Sequence, residues 1–270
     1  MNSSLLESFF VGNESTRTKA EEYLFDSSPR NMILGGLKGL GKRTWAEAYC
    51  KEKNLPCILI QTTLSIDAIR TVSYLASLRQ KGRIVVILDD ADTAEEAAQH
   101  AFLKTLEEAP YLSFVLVAHN PDALLPTIRS RAPLFYFSPV SEDLLRLFVQ
   151  RFDIMSSADQ DFIAIYSAGR PGVATRIAES LESLRKWEVD LRHFFEHKDA
   201  ARIQFFYSYL LPYFQEDPER LVDMCIIMLQ RSAATHSADQ VLIRRLLAFA
   251  ALPRSSDRSV LQFVDIFCVA

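Results

Sequence analysis

No two of the four cysteines (Cys50, Cys57, Cys225 and Cys268) stand in a C-x-x-C pair, which argues against a zinc site and against a redox motif. Reduced, partly buried thiols are the plain reading, given the preference of cysteine for protein interiors. Apolar runs are short. The longest, such as Met224–Leu229 and Leu246–Leu252, fall far below the roughly 20 residues of a membrane-spanning helix. The opening MNSSLLESFF has no basic stretch followed by an apolar core, so no secretory signal is read and the cytoplasm is the expected location, with no membrane partner. Neither sign of charge dominates: 30 Lys and Arg face 34 Asp and Glu, a net charge of −4. That argues against a generally basic surface, although a local patch could still touch a nucleic-acid backbone. No internal repeat or low-complexity stretch is present. What remains is a chain of 270 residues, 49% hydrophobic and 24% charged, which is globular and long enough for one large domain or two to three small ones.

The first half alternates strand and helix patterns. Met32–Leu34 is a short apolar strand, Thr44–Lys53 reads as a helix, Cys57–Gln61 as a strand and Ile66–Gln80 as a helix. Ile84–Leu88 (IVVIL) reads as a buried strand. Ala94–Glu108 reads as a helix with Ala98, Phe102, Leu103 and Leu106 on one side, Phe114–Ala118 (FVLVA) as a further strand and Leu134–Phe137 as a last short one. Near-continuous aliphatic strands between helices predict an α/β fold with a parallel sheet covered on both faces. After Pro139 the pattern changes. Ser141 can cap a helix running to about Phe152, Ser157–Tyr166 is a second helix, and a turn at Gly169–Gly172 leads into a third, Val173–Leu184. From Trp187 onward only helical periodicity is visible, with breaks near Pro212, Pro218, His236 and Pro253.

Gly36 to Thr44 reads GLKGLGKRT. This fits G-x-x-x-x-G-K between a strand and a helix, the setting of a loop whose amides cradle phosphates and whose lysine reaches the outer ones. Gly36, Gly39, Gly41 and Lys42 are therefore candidate nucleotide-binding residues. The hydroxyl that should follow the lysine to hold Mg²⁺ is missing, because Arg43 stands there. Thr44 comes one place late, about 100° around the helix. The strand Ile84–Leu88 ends in Asp89 and Asp90, followed by Asp92. A carboxylate at that end of a parallel strand lies beside the phosphate loop and can orient Mg²⁺ through water, or, for Asp92 above all, cap the next helix. Asp90 is about one methylene shorter than the Glu that polarises water in hydrolytic sites, and a shift of ~1 Å can be costly.

Two further stretches carry a family likeness. Ala97–Pro110 reads AAQHAFLKTLEEAP and His119–Ala132 reads HNPDALLPTIRSRA. Together with the order phosphate loop, acidic strand, K-T-L-E-E helix and S-R, they resemble the delta-prime subunits of bacterial DNA polymerase III clamp loaders. The likeness covers about residues 30–185, and the C-terminal helices only by type. It implies an AAA+ fold: a nucleotide-binding-like domain over residues 1–138, a small helical lid over 139–185 and a helical collar over 186–270 in which surplus apolar surface would hold a ring together. It implies a non-motor subunit in DNA replication, partnered by gamma/tau motor subunits and a delta clamp-opening subunit, reaching the sliding clamp and primed DNA through the complex.

The resemblance also implies residue roles. Arg131, in Ser130-Arg131-Ala132, takes the place of an arginine finger that enters a neighbour's ATP site, with Arg129 a nearby rival. His119 and Asn120 match the sensor-one loop; Asn120 can bind a phosphate or water, or start the turn with Pro121, and the sequence leaves both open. Gly169–Ala174 (GRPGVA) resembles the sensor-two turn, but Gly172 or Val173 stands where active relatives place an arginine. A four-cysteine zinc module common in the family is absent, since only Cys50 and Cys57 fall in that region, so no zinc is expected. ATP remains a cofactor the loop could hold. The alternative function is an active AAA+ ATPase working as a homo-oligomer, with Thr44 or water replacing the lost metal ligand.

Overall fold

The structure, a computed structural model, describes residues 10–25, 30–60, 68–71, 74, 83–109, 111–152, 156–197, 199–232, 237–250 and 260–268. It divides into two compact units. A sheet unit comprises Met1–Arg151 with Gly169–Val173, and a helical unit comprises Phe152–Ala168 with Ala174–Ala270.

The sheet unit is built on five parallel strands: β1 (Met32–Gly35), β2 (Cys57–Ile60), β3 (Ile84–Leu88), β4 (Leu112–Ala118) and β5 (Leu134–Tyr136), in the order β2-β3-β4-β1-β5. The registers Gly35↔Ala118 and Leu88↔Leu116 bring the C-terminal ends of β1, β4 and β3 side by side. Successive strand side chains point to opposite faces, and two cores result. Ile33, Val86, Leu88, Phe114 and Leu116 meet Phe102 and Leu106 of the helix Glu96–Glu108 on one face. Met32, Leu34, Val85, Ile87, Val115 and Val117 meet Trp45 and Tyr49 of the helix Lys42–Glu52 on the other.

A helix that the apolar pattern did not announce, α1 (Glu14–Phe25), adds Ala20 and Leu24 to this second core. Its sequence ESTRTKAEEYLF is polar through its first six residues, so no 3.6-residue stripe stands out. Its start is fixed by reciprocal bonds between the Asn13 amide and the backbone of Ser138, at 2.9 and 2.8 Å. The helices α2 (Lys42–Glu52), α3 (Glu96–Glu108), α4 (Pro126–Arg129) and α5 (Glu142–Val149) complete the described part of the unit. Ser141 caps α5 by accepting from the Leu144 amide, as expected of a hydroxyl ahead of early carboxylates. Most of the expected helix Ile66–Gln80 lies outside the described residues, although residues 68–71 and 74 are helical.

In the helical unit, α6 (Ser157–Tyr166) opens with a capping box in which Ser156 and Asp159 satisfy each other's amides. The single helix expected over Val173–Leu184 is instead two, α7 (Pro171–Glu179) and α8 (Leu181–Glu196), parted at Ser180. Ser180 turns its hydroxyl back onto the Arg176 carbonyl at 2.9 Å, a local bond that competes with the helical ladder. Next come α9 (Asp199–Phe205), a π-turn over Phe206–Leu210, α10 (Leu211–Glu216) and α11 (Pro218–Ser232). The chain closes with α12 (Ser237–Ala250) and α13 (Val260–Cys268). Pro218 sits in the first turn of α11, where a missing N–H costs nothing, whereas the break expected near Pro212 is not seen: Pro212 directly follows the π-turn within an unbroken helical run from Asp199 to Glu216. The expected breaks at His236 and Pro253 lie outside the described residues. The core here is aromatic. Phe263 is fully buried and has ring centroids of Phe206, Phe214, Phe249 and Phe267 at 5.4, 5.1, 5.7 and 5.4 Å.

Candidate functional site: a phosphate loop closed by its own side chains

The loop from β1 to α2 has the backbone of a phosphate cradle. Gly36, Gly39 and Gly41 have φ of +125°, +88° and +80°, which only glycine adopts readily. At Gly36 a side chain would also be blocked, because a Cβ would lie 2.2 Å from the Phe137 carbonyl oxygen. Gly41 caps α2 without a side-chain acceptor, so the first turn presents unpaired amides, the feature that favours anions at helix N-termini.

The side chains tell a different story. Lys42 is only 3% exposed. Its ammonium donates to the Gly36 carbonyl, to the Leu37 carbonyl at 2.8 Å and to Nδ1 of His119 at 3.2 Å. The His119 ring is oriented from its other side, where Nε2 meets Oδ1 of Asp90 at 2.6 Å. A carboxylate only accepts, so the ring proton sits on Nε2 and Nδ1 keeps a lone pair for the lysine. All three donors of Lys42 are then engaged by the chain itself. Burial pushes its pKa down to about 8, against the opposing pull of Asp92, Asp89 and Asp90.

Strand order explains the chain of contacts. β4 lies between β1 and β3, so His119, just past β4, falls between the loop after β1 and the carboxylates after β3. Parallel sheets bind ligands at this edge; here the occupants are side chains. Arg43 Nη1 reaches Asp89 Oδ2 at 2.9 Å and also approaches Glu47 at 3.8 Å. Thr44 is exposed on the next face of α2. Asp92 does not cap the following helix; it accepts from the amides of His119 and Asn120 at 3.0 and 2.9 Å and fixes the loop after β4. The Asn120 side chain accepts from the Asp122 amide at 3.3 Å, the turn-starting arrangement with Pro121. On the far side of the loop, the Gly172 amide donates to the Gly39 carbonyl at 2.8 Å, so the turn after Gly169 holds the loop through its backbone.

Arg131 lies apart from this cluster, just past α4. Gln99 positions the segment: buried at the start of α3, it donates to the carbonyls of Ala94 and Ala123 and accepts from the Leu125 amide at 2.8 Å. Leu124, Ile128 and Ala132 anchor it in the core. The Arg131 side chain remains 41% exposed, with Nη2 2.6 Å from Glu107 of α3 and Nη1 donating to the Thr127 carbonyl. Arg129, the rival, is paired with Asp122 at 2.6 Å.

The donor set fits a phosphate at the level of backbone but offers no hydroxyl beside Lys42 for a divalent cation. Among the described residues no cluster of three or more His, Cys, Asp or Glu could hold a metal, and no helix is long and apolar enough to cross a membrane. Sequence reasoning passed over His119 as the partner of Lys42, Asp92 as the clamp of the loop after β4, and Glu107 as the partner of Arg131. For His119 the sequence showed only a polar residue directly after a strand; that this strand neighbours β1, and so faces the phosphate loop, comes from the fold.

Residues 35–141, which include the phosphate loop, the carboxylates after β3, the loop after β4 and Arg131, match the family described as DNA polymerase III, delta subunit. Over these residues the chain is similar to clamp-loader AAA+ proteins. The clamp-loader-like region is 38% identical over 118 residues to the DNA polymerase III subunit delta' of Escherichia coli K12, covering 42% of this chain and 35% of that protein. It is 30% identical over 149 residues to the replication factor C small subunit of Methanococcus vannielii, covering 50% of this chain and 47% of the relative. The matches thus span between about a third and a half of the length of these curated relatives. In fold, the chain resembles a DNA polymerase III gamma subunit-related protein of Thermotoga maritima with a TM-score of 0.57 at 20% identity, over 94% of this chain and 98% of the other. RuvB of the same organism follows the fold with a TM-score of 0.51 at 16% identity, over 67% of this chain and 66% of that one. The parallel sheet expected from the strand pattern and the AAA+ fold implied by the resemblance are those observed, with a helical C-terminal part.

Proposed function

We propose that this chain is a delta-prime-like, non-motor subunit of the DNA polymerase III sliding-clamp loader. The observation that carries the reading is the engagement of all three Lys42 donors within the chain. A second contact supports it: Arg43 neutralises Asp89 as a fixed guanidinium, a role that a divalent cation takes in a working site. A nucleotide reaching this loop meets a fitting backbone, a lysine already bound and no metal-holding hydroxyl. ATP turnover then belongs to gamma/tau neighbours, in a ring completed by a delta clamp-opening subunit that places the sliding clamp on primed DNA in replication. We divide the chain for this task into a nucleotide-binding-like part (1–138), a lid (139–185) and a collar (186–270).

Within the ring, Arg131 supplies an arginine finger in trans. Its guanidinium is accessible and planar, suited to charge on a transferring phosphoryl group. The pair with Glu107 is half exposed, weak enough for a phosphate to displace. The test is the ATPase of a loader assembled with Arg131→Ala. Turnover at the completed site should fall by about 10³-fold or more with assembly unchanged, and an unaltered ATPase would sink the finger assignment. The intact glycine backbone of the loop favours a second reading, an active homo-oligomeric ATPase. Mg²⁺-dependent turnover by the isolated chain, abolished by Lys42→Ala, would select it.

A further inference from the structure

The groups that hold Lys42 have two origins. The Gly36 and Leu37 carbonyls belong to the phosphate loop itself, whereas His119 comes from the end of β4. The histidine is fixed from several sides. Its Nε2 stands 2.6 Å from Asp90 Oδ1, and its backbone amide donates to Asp92 Oδ1 at 3.0 Å. Asp90 in turn holds a left-handed φ of 50°, a conformation that a non-glycine residue keeps only when its surroundings impose it. Those surroundings are visible: the Asp90 carbonyl accepts from the Thr93 hydroxyl at 2.7 Å, and its amide donates to Asp89 Oδ1 at 3.2 Å. A strained turn thus carries the carboxylate that braces the imidazole.

We propose that His119 is a latch: by holding Lys42 inward, it keeps phosphate out of a loop whose backbone is shaped to bind it. The inference rests on the phosphate-loop reading above and names the residue that regulates that site. His119 is a positioning residue, acting through the lysine. Lys42 can give its third donor to an entering phosphate only by leaving Nδ1, so nucleotide binding is weakened by the worth of a hydrogen bond to a charged group. Without the imidazole, the ammonium keeps its two carbonyl partners and has one buried donor unmet, which a phosphate oxygen would satisfy. Asp90 strengthens the latch, because keeping the ring proton on Nε2 reserves Nδ1 as an acceptor. In a subunit that leaves turnover to its neighbours, the latch would hold the loop in one shape whatever the ATP concentration.

The experiment titrates ATP with Mg²⁺ into the purified full chain by calorimetry. His119→Ala should bind about tenfold more tightly than wild type. His119→Asn should stay near wild type, because its amide oxygen stands on Cγ as Nδ1 does and can accept from Lys42. In a Lys42→Met background the gain from His119→Ala should vanish, as expected if the ring acts through the lysine. His119→Gln serves if the alanine variant fails to fold. Its amide nitrogen can meet Asp90 but nothing stands where Nδ1 accepts, so it too should bind more tightly. Alanine and glutamine variants with wild-type affinity would overturn the latch. So would an asparagine variant as tight as the alanine one, or a gain that persists in Lys42→Met and therefore reflects only a widened pocket. Phosphate release by the wild-type chain would instead overturn the non-motor reading, and the affinity ratios would still decide the latch.

Discussion

The sheet unit rests on aliphatic side chains laid over two faces of a hydrogen-bonded sheet, whereas the helical unit rests on a knot of phenylalanine rings. In the first, strand pairing sets the register and Val, Ile and Leu need only alternate in direction. In the second no backbone ladder joins the helices, so alignment depends on ring packing around Phe263, where shape matters residue by residue. The difference suggests where each unit tolerates change: the sheet unit is sensitive at its glycines and buried charges, the helical unit at its rings.

The largest effect expected is that of Phe263→Ala, which removes the ring at the centre of the cluster and should cost about 3–5 kcal/mol. The chain has two tryptophans, Trp45 in the sheet unit and Trp187 in the helical unit, so single Trp→Phe backgrounds can report each unit in denaturant titrations. The Trp187 signal should carry most of the loss, and equal shifts in both signals would erase the distinction.

Next comes the buried charge. The folded pKa of Lys42 is depressed to about 8 from its ordinary 10.5, so the unfolded chain holds that proton more tightly. Charging Lys42 therefore costs stability below about pH 8, and the cost fades as pH rises from there through 10.5. Wild type should gain about 2–3 kcal/mol relative to Lys42→Met between pH 7 and 10.5. A constant difference would mean that the ammonium is solvated. Smaller still, Gly36→Ala should lower the sheet unit's stability by about 1–3 kcal/mol, from strain at positive φ and the clash with Phe137. Melting at the wild-type midpoint would show that the loop relaxes freely. The smallest change is that of Arg131→Ala on stability, within about 1 kcal/mol for an exposed pair. A larger drop in melting would make Arg131 a structural residue and blur its separation from the closed loop.

Much of the sheet unit was legible because its signals are local. IVVIL and FVLVA are short buried runs between helices, and the GLKGLGKRT loop announces its own backbone. The polar helix α1 was not legible, because its stability comes from Ala20, Leu24 and distant bonds to Ser138 rather than from a stripe of its own. That Arg43 stands where the phosphate-loop motif has a hydroxyl could be read directly. That Arg43 would meet Asp89, and Lys42 would meet His119, depends on the order of strands in space, which no spacing along the chain encodes. Ser180 parted a helix that periodicity joined, because a hydroxyl competing for a carbonyl leaves no mark on an apolar pattern.

The π-turn at Phe206–Leu210 sets which way the rest of its helix faces. The Leu211 amide reaches back five residues to the Phe206 carbonyl, as when one extra residue is accommodated in a helix without unravelling it. A chain lacking one residue there would run straight from α9 into α10, with everything beyond turned by about 100°. Phe214 would then face away from Phe249 and Phe263. A single-residue deletion within 206–210 would therefore be enough to turn that ring out of the core.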